Sequence, residues 1–240
     1  MEPLKKWQEL TQKEKENFTL NNKIKVKHWL IDGRNNKSKL NGFYDKKLVN
    51  SMIEKIRNKE VSYYGQSDKE LYALLEKINL KDKNVAIIGS TQPWYESIVI
   101  HYGGKPVTIE YSKLKTNDDR LKLLTVEEFY KNPVKFDIIF SISSFEHDGL
   151  GRYGDPINPF GDIDAMSKMK DIIKEDGLLF LAVPIGLDTI FWNAHRIYGE
   201  HRYPKLIEGW EIVDKVSFNE GRLKKENGMY QPVVVLKKKK

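Results

Sequence analysis

Lys83-Asn84-Val85-Ala86-Ile87-Ile88-Gly89-Ser90-Thr91-Gln92-Pro93-Trp94, followed by Val107-Thr108-Ile109-Glu110, is the stretch that decides the fold of this chain. Val85 to Ile88 is an apolar run of buried-strand length. Gly89 supplies a turn, Pro93 suits the first turn of a helix, and Gly103-Gly104 stops that helix near Tyr102. Val107 to Glu110 is a second strand ending in a carboxylate, 21 residues after Gly89. This is the layout by which a doubly wound α/β fold holds an adenosine-containing ligand.

The turn itself narrows the ligand. Ser90-Thr91-Gln92-Pro93 is bulkier than the G-x-G-x-x-G turn that draws a pyrophosphate onto a helix N-terminus. A ligand with an adenosine and no phosphate tolerates such a turn. The pattern therefore speaks against NAD and for S-adenosyl-L-methionine (SAM), with S-adenosylhomocysteine as product. The cofactor-binding candidates are Gly89, Ser90, Gln92 and Pro93 in the turn, and Glu110 and Tyr111 at the second strand's end. Thr125 beside the adenine and Ser143 after a later strand complete the set. Glu110 would accept hydrogen bonds from both ribose hydroxyls, a task for an ionised bidentate acceptor.

The alternation continues outward from there. Leu71, Leu74, Leu75 and Ile78 share one helical face behind Ser67, an expected N-cap with Glu70 completing a capping box. A weak strand at Leu121 to Leu124 and a short helix at Val126 to Tyr130 follow. Phe136 to Ser141, apolar but for Asp137 and Ser141, reads as a parallel strand buried on both faces. A helix over Ile163 to Ile173 leads to a strand at Leu178 to Val183, stopped by Pro184. After a polar, aromatic segment from Gly186 to Trp210 come two strands, Glu211 to Phe218 and Val233 to Leu236. Their loop contains Gly221 and Gly228 and has no crossover helix, so the two are antiparallel neighbours. The expected fold is α/β: a Rossmann-like class I methyltransferase fold. It has a mostly parallel seven-stranded sheet ending in an antiparallel hairpin, in three αβα layers.

Residues 1–60 differ. They are polar and rich in Asn and Lys, with scattered aromatics (Trp7, Phe18, Trp29, Phe43, Tyr44). A short strand near Ile24 to Ile31, a turn at Asp32-Gly33 and a helix over Lys46 to Arg57 are expected. They form an N-terminal extension, or cap, on a methyltransferase-like domain at 61–240. The whole chain of 240 residues contains no cysteine, which excludes disulfides and thiolate chemistry. No apolar run reaches the ~20 residues that span a bilayer, and no apolar secretory core follows Met1. A cytoplasmic setting is the expectation, the host cytoplasm if the source is viral. The net charge of +7 reads as a lysine-rich solvated surface. No basic stripe interleaved with aromatics favours nucleic acid.

Ligands of open α/β sheets bind at the carboxyl ends of the strands. Ser143-Ser144-Phe145-Glu146-His147-Asp148-Gly149-Leu150-Gly151-Arg152-Tyr153-Gly154-Asp155-Pro156 follows one strand, and Asn193-Ala194-His195-Arg196-Ile197-Tyr198-Gly199 follows another. With Glu208-Gly209-Trp210-Glu211, these runs resemble a family first catalogued as a nematode domain of unknown function, with relatives in bacteria and large algal viruses. The resemblance covers about Lys83 to Val216. It implies a class I methyltransferase fold, occurrence beside glycan-building enzymes, and O-methylation of a sugar, with a carbohydrate or nucleotide-sugar acceptor.

Methyl transfer to a hydroxyl needs positioning and a base for the hydroxyl proton. The candidate catalytic residues are His147, Asp148, Arg152, Asp155 and His195. Asp148 or His195 is the favoured base, and Asp155 is expected to orient Arg152 or the substrate. Glu146-His147 also resembles the end of the Glu-x-x-Glu-His divalent-metal site of some class I O-methyltransferases, with His195 as a further ligand. Ser143 replaces the first glutamate, leaving a poor oxygen set for Mg²⁺, so no metal is favoured. Two other functions compete: methylation of RNA or a small metabolite, and a non-catalytic adenosyl-binding module.

Overall fold

The computed structural model describes residues 4–34, 42–226 and 230–239. The expected loop glycine Gly228 lies outside the described residues. The chain begins with a 3-10 turn (Trp7–Glu9), α1 (Gln12–Thr19) and β1 (Lys25–His28). β2 (Phe43–Tyr44), α2 (Lys46–Arg57) and α3 (Gly65–Leu75) follow. Next come β3 (Asn84–Ile88), α4 (Trp94–His101), β4 (Lys105–Glu110), β5 (Lys115–Thr116), β6 (Lys122–Thr125) and α5 (Val126–Lys131). β7 (Phe136–Ile142), a 3-10 turn (Phe145–His147), α6 (Gly161–Ile172) and β8 (Ile173–Ala182) complete the α/β repeat. β9 (Thr189–Trp192), β10 (His195–Ile197), α7 (Tyr203–Leu206), β11 (Trp210–Lys215) and β12 (Val233–Lys238) close the chain.

The main sheet has seven strands in the order β11-β12-β8-β7-β3-β4-β6. β3, β4, β6, β7 and β8 run parallel, while β12 is antiparallel to both β8 and β11. The class I methyltransferase order expected from the sequence is therefore present. The strand order reverses between β3 and β7, which places the ligand crevice over Gly89 and Ser143.

Alternation along the central strands explains why apolar residues run consecutively in them. Ile138, Phe140 and Ile142 of β7 face one core, with Val85, Ile87, Leu71, Leu74 and Ile98. Ile139 faces the other, with Ala86, Leu179, Leu181, Met166, Met169 and Ile172. Successive strand residues point to opposite faces, so helices on both sides require apolar residues at every position.

Three local expectations are corrected. α3 starts at Gly65 with Tyr64 as N-cap and no side-chain cap, so Ser67 caps nothing. Instead the Ser67 hydroxyl donates to the Gln231 carbonyl at 2.6 Å, and the Glu70 carboxylate accepts the Val233 N–H at 3.0 Å. The supposed capping box holds the entry of the C-terminal strand, a long-range role that local spacing does not reveal. Pro93 is the N-cap of α4 and precedes its first turn. The polar segment after β8 is not irregular. β9 pairs in parallel with β1 and antiparallel with β10, forming a separate three-stranded sheet.

That second sheet explains the N-terminal residues. Leu10, Phe18 and Ile24 pack with Leu150, Ile190 and Trp192, while α2 buries Ile56 in the core beside α3 and α4. Among the described residues no helix is long and apolar enough to cross a membrane.

Candidate active site

The site is built from strand ends. Gly89, just after β3, has φ +74°, a region that favours glycine. Ser144, after β7, lies against it: a Cβ at position 89 would collide with the Ser144 hydroxyl. Glu110 at the end of β4 accepts the Ser90 N–H at 2.8 Å on one oxygen and the Tyr111 N–H at 2.8 Å on the other. With the Ser112 N–H as a third donor, the carboxylate keeps acceptor capacity for a ligand. Burial raises the Glu110 pKa, and the backbone N–H groups of Ser90, Tyr111 and Ser112 oppose that shift. Beneath the turn, the buried Tyr44 hydroxyl bonds the Ser90 carbonyl at 3.0 Å.

Beside Glu110 an open pocket of about 580 Å³ is lined by Tyr111, Thr125, Val126, Glu127, Tyr130 and Lys131. It lies where the adenine was expected, against Thr125 and Val126. Gln92 contributes backbone here: its carbonyl accepts from the Ser90 hydroxyl at 3.1 Å and the Trp94 N–H at 2.7 Å.

The segment after β7 supplies the ionisable groups. Ser143, at φ +54°, donates its hydroxyl to Glu146 at 2.5 Å. Glu146 is buried, and burial pushes its carboxyl up to about 7. His147 Nδ1 lies 2.6 Å from the Ala194 carbonyl, which can only accept. The proton therefore sits on Nδ1, and Nε2 carries the lone pair. Burial depresses the His147 pKa to about 3, and the nearby Arg152, His195 and Arg196 add to the effect. His195 is held down to about 4, mainly by burial and then by Arg152. Both histidines are neutral near neutral pH.

Asp148 stands apart from these. Its carboxylate makes no hydrogen bond or ion pair with the described residues, yet it is half-buried. Burial, reinforced by Asp155, raises its pKa well above the ordinary carboxylate value. Asp148, Asp155 and Glu110 all act on the Tyr111 phenol, whose pKa is raised chiefly by burial. Ser144, on the segment that carries Asp148, and Glu110 Oε2 both lie within 4 Å of where a Cβ on Gly89 would stand, so the two segments border one crevice.

Asp155 does not orient Arg152. Its oxygens accept the Gly151 N–H at 3.0 Å and the Tyr153 N–H at 3.2 Å, closing the loop on itself. Arg152 instead donates to the Ala194 carbonyl at 3.1 Å and lies over the Tyr153 ring. His195 and Arg196 are neighbours on strand β10, and the fully buried Arg196 guanidinium donates to the Asp148 carbonyl at 2.6 Å. Asp162, which carried no functional expectation, anchors this layer: it accepts from Arg202 at 2.6 Å and Tyr198 at 3.0 Å. Its signal in sequence was faint: two arginines, Arg196 and Arg202, near the end of the chain. Among the described residues no three His, Asp or Glu side chains converge to hold a metal ion.

Residues 82–233 match the family described as "Caenorhabditis protein of unknown function, DUF268". The chain belongs to that family. The match includes Gly89, Glu110, Asp148 and His195, and it begins after the N-terminal extension. Among solved structures, Burkholderia thailandensis 1,6-didemethyltoxoflavin-N1-methyltransferase with bound 1,6-didemethyltoxoflavin and S-adenosylhomocysteine is similar at TM-score 0.52 and 14% identity. That likeness covers 71% of this chain and 75% of that one. Ribosomal protein L11 methylase from Lactobacillus delbrueckii subsp. bulgaricus is similar at TM-score 0.44 and 14% identity, over 73% of this chain and 80% of that one. No curated protein matches. The first likeness agrees with the strand order: this DUF268 chain has the class I methyltransferase fold.

Proposed function

We propose that this DUF268 protein is a SAM-dependent O-methyltransferase acting on a sugar hydroxyl, with Asp148 as the proton acceptor and without a catalytic metal. The observation that carries the reading is the Asp148 carboxylate, without a partner among the described residues, on the segment whose Ser144 meets Gly89 beside Glu110. The crevice suits the cofactor. Gly89 leaves backbone open to a ligand, Glu110 keeps acceptor capacity for ribose hydroxyls, and Tyr111 and Val126 line a pocket of adenine character. When bound, SAM supplies a methyl group activated by its sulfonium.

The chain's own work is to hold an acceptor hydroxyl and take its proton. A base is most effective when its pKa approaches the working pH. Burial moves Asp148 toward that range and moves His195 away from it, to about 4. Arg196, through the Asp148 carbonyl, and Asp155, through the Gly151 and Tyr153 amides, fix the loop that carries the base. Ser143 stands where a first glutamate would be needed, which leaves a poor oxygen set for a divalent ion and supports a metal-free mechanism.

The test combines two measurements on the full chain. Calorimetry with SAM and S-adenosylhomocysteine should show binding of both, and methyl transfer to a saccharide panel should proceed in EDTA. If neither ligand binds, the cofactor reading fails. Transfer restored only by Mg²⁺ or Mn²⁺ overturns metal independence. Transfer to RNA instead, with the steep salt dependence of phosphate contacts, overturns the sugar acceptor.

A further inference from the structure

The proposed sugar acceptor raises the question of what holds the sugar, and the residues preceding the DUF268 match provide an answer. In the β1-β9-β10 sheet, Lys27 is paired with Phe191, and Phe191 with His195. Paired residues point to the same face, and Trp29 shares it, two positions beyond Lys27. The opposite face is buried: Ile190 and Trp192 join the core of Leu10, Phe18 and Ile24. The outward face carries a row of rings. Trp29 and Phe191 lie 4.8 Å apart, Phe191 stacks on His195 at 4.8 Å, and Trp29 meets His195 edge-on at 5.8 Å. The row continues into the site, from His195 to His147 at 6.4 Å and from His147 to Tyr153 at 5.5 Å.

The segment after β1 is fastened along this same edge. The Ile31 N–H donates to the Asn193 side chain at 2.8 Å, and Asn193 returns a bond to the Ile31 carbonyl at 3.2 Å. The Gly33 N–H donates to the Arg152 carbonyl at 2.8 Å. Gly33 lies so close to Tyr153 that a Cβ would come within 2.7 Å of the ring. Three attachments thus fix a stretch that carries Trp29, which stays 50% exposed although its neighbours are ordered around it. An indole held half-exposed at the end of a ring row is a platform for a flat apolar face.

We infer that Trp29 is a specificity-determining residue of the acceptor site, stacking on the apolar face of a pyranose whose hydroxyl reaches Asp148. A saccharide presents such a face with hydroxyl donors around its rim. Asp148, without a partner among the described residues, can accept such a donor. The inference rests on the proposed sugar O-methylation.

The experiment measures kcat, acceptor KM and S-adenosylhomocysteine affinity for wild type, Trp29→Ala, Trp29→Phe and, as an exposed apolar control, Leu30→Ala. The substrate is whichever saccharide of the panel wild type methylates. Trp29→Ala should raise acceptor KM roughly five- to tenfold, the size of an aromatic stacking contribution, with kcat and cofactor affinity nearly unchanged. Trp29→Phe should restore most of the KM, and Leu30→Ala should match wild type. An unchanged KM in Trp29→Ala overturns this inference alone. Failure of wild type to methylate any saccharide, while binding S-adenosylhomocysteine, overturns the sugar reading and this inference with it.

Discussion

Glu110 accepts the Ser90 N–H at 2.8 Å, so the end of β4 is tied to the turn that follows β3. One carboxylate thereby orders the turn and stands ready for a ribose. Glu110→Ala should weaken S-adenosylhomocysteine binding by ~1.5–3 kcal/mol, the range for hydrogen bonds to a charged group. Titration calorimetry reads the loss directly. A variant that binds as tightly as wild type would remove Glu110 from the site.

Asp148→Asn keeps the shape of the side chain and removes the base. Methyl transfer should fall by ~10²–10⁴, with cofactor affinity retained. The wild-type pH profile gives an independent check. A protonated Asp148 cannot accept, so activity should decline as pH falls through its raised pKa, above the ordinary carboxylate range. A decline centred near 4, removed by His195→Asn, would transfer the role to His195.

Glu146 predicts a pH effect on stability. Its folded-state pKa of about 7 lies above the ordinary 4.5 because burial favours the neutral acid. Folding then binds a proton that the unfolded chain releases. The stabilising contribution is complete below 4.5 and is lost as pH rises toward 7. Glu146→Gln removes this dependence. Relative to wild type it should gain on the order of 3 kcal/mol between pH 4.5 and 8, measured by denaturant melts at a series of pH values. Glu96, also pushed up to about 7 by burial, contributes equally to both proteins and cancels in the difference.

Gly89→Ala should destabilise by ~1–2 kcal/mol, because alanine resists φ +74° and its Cβ meets the Ser144 hydroxyl. The double change Gly89→Ala with Ser144→Gly relieves the collision and leaves the backbone term. Thermal melts of the two should therefore differ. Equal melting temperatures would mean that Ser144 yields without cost.

The sheet was legible in the residues themselves. Val85 to Ile88, Ile138 to Phe140 and Leu178 to Val183 are apolar at every position because helices cover both faces, and that pattern is local. The turn at Gly89 and the carboxylate at Glu110 were legible for the same reason, being set by spacing along one βαβ unit. Ser67 and Glu70 were misread because a local capping pattern coincided with partners more than 140 residues away. Asp155 was misplaced because sequence gives its neighbourhood and not the direction of its side chain.

The sequence by itself determined the α/β class and the mostly parallel sheet ending in an antiparallel hairpin. Periodicity and turn chemistry are short-range properties and survive in one dimension. Only the tertiary structure decided that Lys25 to His28 pair with Thr189 to Trp192, and so that Trp29 lies against Phe191 and His195. It also decided which of the site's ionisable groups are spent on neighbours and which, like Asp148, remain uncommitted. Pairing across such a separation, and the burial that shifts each proton affinity, depend on what the folded chain brings together. Neither is written in the spacing of residues along the chain.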